Sequence, residues 1–156
     1  MYGDRFLREA ELHEDARSYK AAFRSLLTGA KLGEASCFVN LGNYYSAGTG
    51  TGMDLAKAAY WYRKAYAEGD SSGALNLAID RKNAGNIRST IFWLKRSVAM
   101  DDGSACIELA KIYRTQRTGT TKAISLLQQV LKMTLAGASE LDREDATAML
   151  QEMLQQ

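Results

Sequence analysis

The chain is predicted to be all-α: a stack of helix-turn-helix units forming one α-solenoid domain over residues 1–156. Three observations lead there. The sequence repeats itself: Gly33-Glu34-Ala35-Ser36-Cys37-Phe38-Val39-Asn40-Leu41-Gly42 returns as Gly69-Asp70-Ser71-Ser72-Gly73-Ala74-Leu75-Asn76-Leu77-Ala78, and again from Asp101 to Ala110. Apolar residues recur three and four apart, as in Phe38, Leu41 and Tyr45 or Ala58, Trp61 and Ala65, which is the period of a helix with one buried face. Glycine-rich breakers separate these stretches, and the alternation that marks a strand is absent.

Residues 1–34 read as a degenerate N-terminal unit, in which Ala21-Ala22-Phe23-Arg24-Ser25-Leu26-Leu27 is a weak copy of the second helix. Residues 35–69 form the fullest repeat. Its first helix carries Leu41-Gly42, Gly48-Thr49-Gly50-Thr51-Gly52 is the loop, and Asp54 is placed to cap the helix holding Lys57-Ala58-Ala59-Tyr60-Trp61-Tyr62. Residues 71–101 repeat the plan with Leu77-Ala78, a short Ala84-Gly85-Asn86 turn and Ile91-Phe92-Trp93-Leu94. Residues 103–134 repeat it with Leu109-Ala110 and Ile124-Ser125-Leu126-Leu127. Ser139 and Asp142 resemble a capping box, opening a C-terminal capping helix within 139–156 whose apolar residues are Leu141, Met149, Leu150 and Met153. Such units cannot bury an apolar face alone, so stacking supplies the core and the terminal helices close it.

Composition excludes several classes. Hydrophobic residues at 46% and charged residues at 24% belong to a globular chain, and a net charge of +2 forces neither a nucleic-acid nor a membrane-surface reading. Proline is absent, where average usage of about 5% predicts roughly 8. The first residues lack the apolar core of a secretory signal, and no apolar run approaches the roughly 20 residues of a membrane span, so a cytoplasmic location is expected. Cys37 and Cys106 have no metal-ligand spacing and occupy small-residue slots of different repeats, so they are expected as buried small hydrophobes.

Leu41-Gly42, Tyr45, Gly48, Gly50, Asp54, Lys57-Ala58, Trp61-Tyr62, Lys64-Ala65 and Gly69 resemble the Sel-one-like repeat, a cousin of the tetratricopeptide repeat. The second and third repeats keep the skeleton only: the second lacks the glycine loop and has Ser89 where the family has Lys, and the third has Leu126 for the Trp. The resemblance implies a right-handed α-α superhelix and a non-enzymatic scaffold or adaptor that binds another protein. It also implies two alternatives known among relatives: a bacterial immunity protein that neutralises a toxin, and a hydrolase acting on β-lactam-like molecules.

Chemistry-bearing groups are sparse. His13 is the only histidine, in a polar run at an expected helix end, and zinc needs three or four ligands. No serine sits in an elbow motif. Gly48-Thr49-Gly50-Thr51-Gly52 lacks the Lys-Ser/Thr of a phosphate-binding loop and follows no strand, so it reads as a connector. Trp61, Trp93, Tyr45 and Tyr113 fall on repeat core positions, and Arg63-Lys64 and Lys95-Arg96 read as a solvated face. No catalytic residue, metal or cofactor is expected.

The first helix of each unit lines the concave face of a solenoid, its usual binding surface. Indexed from the Leu-small pair, that face presents Val39, Leu75 and Ile107 in one column and Asn40, Asn76 and Glu108 in the next. Beyond them come Asn43, Ile79 and Lys111, and then Ser46, Lys82 and Arg114. The first column is either packing between neighbouring helices or an apolar stripe for a partner's segment. Lys82, Lys111 and Arg114 with the asparagines suggest a mildly basic, amide-rich groove suited to an acidic segment. Either a monomer or a weak homodimer is expected.

Overall fold

The computed structural model describes residues 4–155, and among them nine α-helices and no strand. They are α1 (Arg5–Asp15), α2 (Tyr19–Lys31), α3 (Ser36–Ala47), α4 (Leu55–Ala67), α5 (Ser71–Asn83), α6 (Ile87–Val98), α7 (Gly103–Arg114), α8 (Thr120–Lys132) and α9 (Glu140–Leu154). The chain divides into two compact units, Met1–Asp80 and Arg81–Gln156, where the sequence predicts one domain; the division falls inside α5, within the second repeat.

In the first unit, α1 pairs with α2, α3 with α4, and α2 with α3. Leu26, Cys37, Leu41, Ala58 and Leu77 are among its most buried side chains. The Leu-Gly pair has a steric origin. A Cβ on Gly42 would stand 2.4 Å from Cε1 of Tyr62, so α3 and α4 approach as they do only because Gly42 has no side chain. Gly73 plays the same part for α5, since a Cβ there would meet the backbone oxygen of Tyr62 at 2.4 Å. Phe23, Tyr45, Phe38 and Trp61 fill the remaining space, with ring centroids 5.3 Å apart for Phe23 and Tyr45 and 5.6 Å for Phe38 and Trp61.

One helix ending recurs. Glu34 N–H bonds the carbonyl of Gly29, Asp70 that of Ala65, and Asp102 that of Ser97, each after a residue in left-handed conformation: Gly33 (φ 87°), Gly69 (φ 89°) and Asp101 (φ 58°). These are Schellman endings, and they sit at equivalent places in the sequence repeat. The acidic residue that follows each turn then caps a helix start. Asp70 accepts from the amide of Ser72 at 2.9 Å, Asp102 from that of Ala105 at 2.9 Å, and Glu34 from those of Phe6 and Leu7 in the first turn of α1.

In the second unit α6 packs on α7, α7 on α8, and α9 against both α7 and α8. Leu94, Cys106, Leu109, Leu127 and Val130 are buried there. The caps foreseen at Asp54 and Ser139 are present, Ser139 and Asp142 form a reciprocal box, and Asn86 of the short turn caps α6 as well. The inward face of α9 differs from expectation. Leu141 is 68% exposed, and Asp142 takes the core-side position one turn before Ala146, because its carboxylate accepts from Ser139 and, at 2.9 Å, from Ser104 on α7. Trp93 is half-buried rather than a core residue.

Candidate functional site

The residues expected on the binding face are placed differently in the two units. In the first, Val39, Asn40, Leu75 and Asn76 are half-buried, and Asn43 and Ile79 are exposed. Ser46 Oγ donates to Oδ1 of Asp80 at 3.1 Å, tying α3 to α5 on this side. Asn43 Oδ1 accepts from the Tyr62 hydroxyl at 2.8 Å. Burial first, and then the Asp80 carboxylate, push that phenol up to about 12. Asn40 Nδ2 donates to the Ser36 carbonyl at 3.2 Å, whereas the Asn76 amide has no hydrogen bond among the described residues. The result is an apolar strip edged by amides.

In the second unit the expectation is corrected at several positions. Ile107 is only 3% exposed and belongs to the core, because α7 is enclosed by α6, α8 and α9 and its column turns inward. Lys82 and Lys111 are exposed, but both close on one carboxylate: Lys82 Nζ lies 2.7 Å from Oε2 of Glu108 and Lys111 Nζ 2.8 Å from Oε1. Burial works to raise the Glu108 carboxyl, but the two ammonium groups outweigh it and hold it below its usual range. Arg114 pairs with Glu152 at 2.8 Å. The three cations read as a basic groove, Lys82, Lys111 and Arg114, are therefore each ion-paired within the chain, two of them sharing one carboxylate. Glu108 carried the signal, standing three residues before Lys111 on the same helix face.

The outer-helix cations are also not simply solvated. Arg63 and Lys95 are exposed, but Lys64 Nζ lies 5.4 Å from the ring centroids of both Tyr60 and Trp61, and Arg96 Cζ lies 3.6 Å from that of Phe92.

Free positive charge gathers elsewhere, at the α1–α2 turn. Arg17, Ser18, Tyr19, Lys20, Ala21, Arg24 and Gly50 line an open cavity of about 550 Å³. Among the described residues none of Arg17, Lys20 and Arg24 forms an ion pair. Arg24 Nε donates to the Lys20 carbonyl at 3.3 Å. Gly50 (φ 65°) fits because it has no side chain: a Cβ there would stand 2.2 Å from the Tyr19 carbonyl oxygen. The glycine loop is thus more than a connector, since its middle glycine docks on the start of α2. A second open cavity, about 780 Å³, lies beside Arg5, Phe6, Leu32 and Glu34.

Groups capable of chemistry are scattered. His13 is half-buried in the last turn of α1, 4.0 Å from Glu9. Both cysteines are buried and free, and burial above all, aided by nearby carboxylates, pushes each thiol up to about 12. Among the described residues no three His, Cys, Asp or Glu side chains gather as a metal site, and no helix is long and apolar enough to cross a membrane.

No protein-family model matches the chain, and no curated protein matches it. Solved structures share its fold. A Sel1 repeat protein from Oxalobacter formigenes superposes with a TM-score of 0.71 at 18% identity, over 93% of this chain and 60% of its own. A protective antigen of uropathogenic Escherichia coli with an SLR fold gives 0.65 at 14% identity, over 88% of this chain and 34% of its own. The chain thus has the all-α repeat fold of Sel1-type proteins and spans 60% or less of the length of these two.

Proposed function

We propose that the chain is a non-enzymatic interaction scaffold that holds a partner protein on the inner face of its repeats. The observation that carries this is the α3–α5 surface of the first unit. Val39 and Leu75 are partly open, Ile79 is 39% exposed, and Asn76 has an unused amide beside them. Partly exposed apolar side chains edged by amides, with that of Asn76 unengaged, suit an extended or helical protein segment, which supplies both apolar contacts and backbone hydrogen bonds. The scattering of the histidine and the two suppressed thiols supports the non-enzymatic part. The likeness in fold to Sel1-type repeats supports it as an analogy of architecture.

The test is capture of a partner from the host lysate by wild type and by an Asn40→Arg, Asn76→Arg, Ile79→Arg variant of equal Tm. A single protein held by wild type and released by the variant is the expected result. Retention by both would remove the face from consideration. Turnover of a substrate that one polar substitution abolishes would remove the scaffold reading. A toxin as the captured protein would narrow the role to that of an immunity protein.

A further inference from the structure

We infer that the cavity at the α1–α2 turn is a docking pocket for a short acidic segment of a partner protein, seating clustered carboxylates or a phosphate monoester on Arg17, Lys20 and Arg24. This rests on the scaffold reading above and adds a second, electrostatic contact to it.

Three features converge. The first is charge: the lining of the cavity holds three cations and no acid, and none of the three is neutralised by an ion pair among the described residues. This contrasts with Lys82, Lys111 and Arg114, each of which is ion-paired with Glu108 or Glu152. A guanidinium or ammonium free of a partner and grouped with others around a concavity is what oxyanions bind by charge-assisted hydrogen bonds.

The second is the backbone of Arg17. The chain leaves α1 through the same Schellman ending found after α2 and α4, with the amides of Arg17 and Ser18 bonding the carbonyls of Glu14 and His13. Gly33 and Gly69 fill the left-handed position in those turns, but here it is Arg17, at φ 54°. A guanidinium thus stands where the backbone favours glycine, a position that Asp101 fills after α6, and it does so at a cost to the fold.

The third is confinement. Glu11, Glu14 and Asp15 on the last turns of α1 flank the pocket in the chain. Their charge disfavours an anion that extends along α1 beyond the three cations, which favours a short anionic segment over a long polyanion.

The test uses fluorescence anisotropy with the intact protein at low salt. The probes are a labelled hexaglutamate peptide, a peptide with a single phosphoserine, their neutral counterparts, and a single-stranded oligonucleotide. Binding of either anionic peptide, weakening as salt rises and absent for the neutral peptides, is the expected result. An Arg17→Gly, Lys20→Gln, Arg24→Gln variant should lose about tenfold or more in affinity. Lys82→Gln, Lys111→Gln, Arg114→Gln should leave it unchanged. Arg17→Gly alone supplies a readout that a merely structural role would not move: it should raise Tm while weakening the anionic peptide.

Several results would overturn the pocket: no binding of either anionic peptide, equal binding of the neutral peptides, tighter binding of the oligonucleotide, or equal losses in the two triple variants. Failure of the pocket and failure of the scaffold separate cleanly. A partner captured from lysate equally by wild type and by the Arg17, Lys20, Arg24 variant removes only the pocket. Wild type that captures no protein, yet binds the peptides, removes only the scaffold.

Discussion

The hydroxyl of Tyr62 donates to Oδ1 of Asn43 at 2.8 Å, and its ring lies flush against the bare Cα of the preceding residue, Gly42. One side chain therefore sets both how closely α3 and α4 approach and how an amide on the proposed binding face is oriented. Gly42→Ala should push the ring off α3 and destabilise the protein by about 1–3 kcal/mol, as overpacking does. Tyr62→Phe should cost only about 0.5–1.5 kcal/mol, the worth of one hydrogen bond, and leave the packing intact. Urea titration of both variants measures the difference.

The left-handed turns predict changes of opposite sign. Gly69→Ala places a Cβ in open space but at φ 89°, so backbone strain alone should cost about 1–2 kcal/mol. Asp101→Gly, at the equivalent turn with φ 58°, should stabilise by up to about 1 kcal/mol. Thermal melts at one pH suffice to compare them.

Cys37 and Cys106 should behave as inert groups. With both thiols pushed up to about 12, the thiolate fraction at pH 8 is negligible, and both are fully buried. A chromogenic disulfide reagent should find no fast-reacting thiol in the folded protein and two in denaturant. A fast thiol in the native state would contradict the burial.

Stability should fall on the acid side through two carboxylates. Burial raises both Glu108 and Asp142, but their partners outweigh it: Lys111 and Lys82 for the first, Ser139 and Ser104 for the second. Both end below their ordinary 4.5 and 3.8. A carboxyl depressed on folding contributes its stability above the unfolded value and loses it as pH falls through the folded one. Stability should therefore be level above about pH 5 and decline below it. Glu108→Gln should flatten part of that decline, read from urea midpoints across pH.

Much of the fold was legible because its determinants are local. The period of Phe38, Leu41 and Tyr45, the cap at Asp54, and the glycines at 33 and 69 act within a few residues of one another. The candidate site was only half legible for the opposite reason. Whether Lys82 or Arg114 is free depends on Glu108 and Glu152, which lie 26 and 38 residues away in the chain, and repeat alignment does not encode such pairings. Ile107 falls to the packing alternative for its column because three helices enclose α7, whereas Val39 and Leu75 stay partly open, and column indexing assumes equal exposure in every repeat. The cations at 17, 20 and 24 stand in the sequence at helical spacing. They were passed over because the degenerate first unit offers no aligned column in which to see them.

The acidic residue after each left-handed turn has a consequence for how copies of this unit can be multiplied. Asp70 and Asp102 serve the helix that follows them, so a segment containing either carries its own start signal forward. Glu34 serves backwards, clasping α1, and where α1 is missing its carboxylate keeps only the weak contact with the Cys37 thiol. Tandem duplication of the Asp70 unit would thus lengthen the array with every junction sealed. Duplication of the Glu34 unit would leave one acid stranded at each new joint, which gives the array a direction of growth.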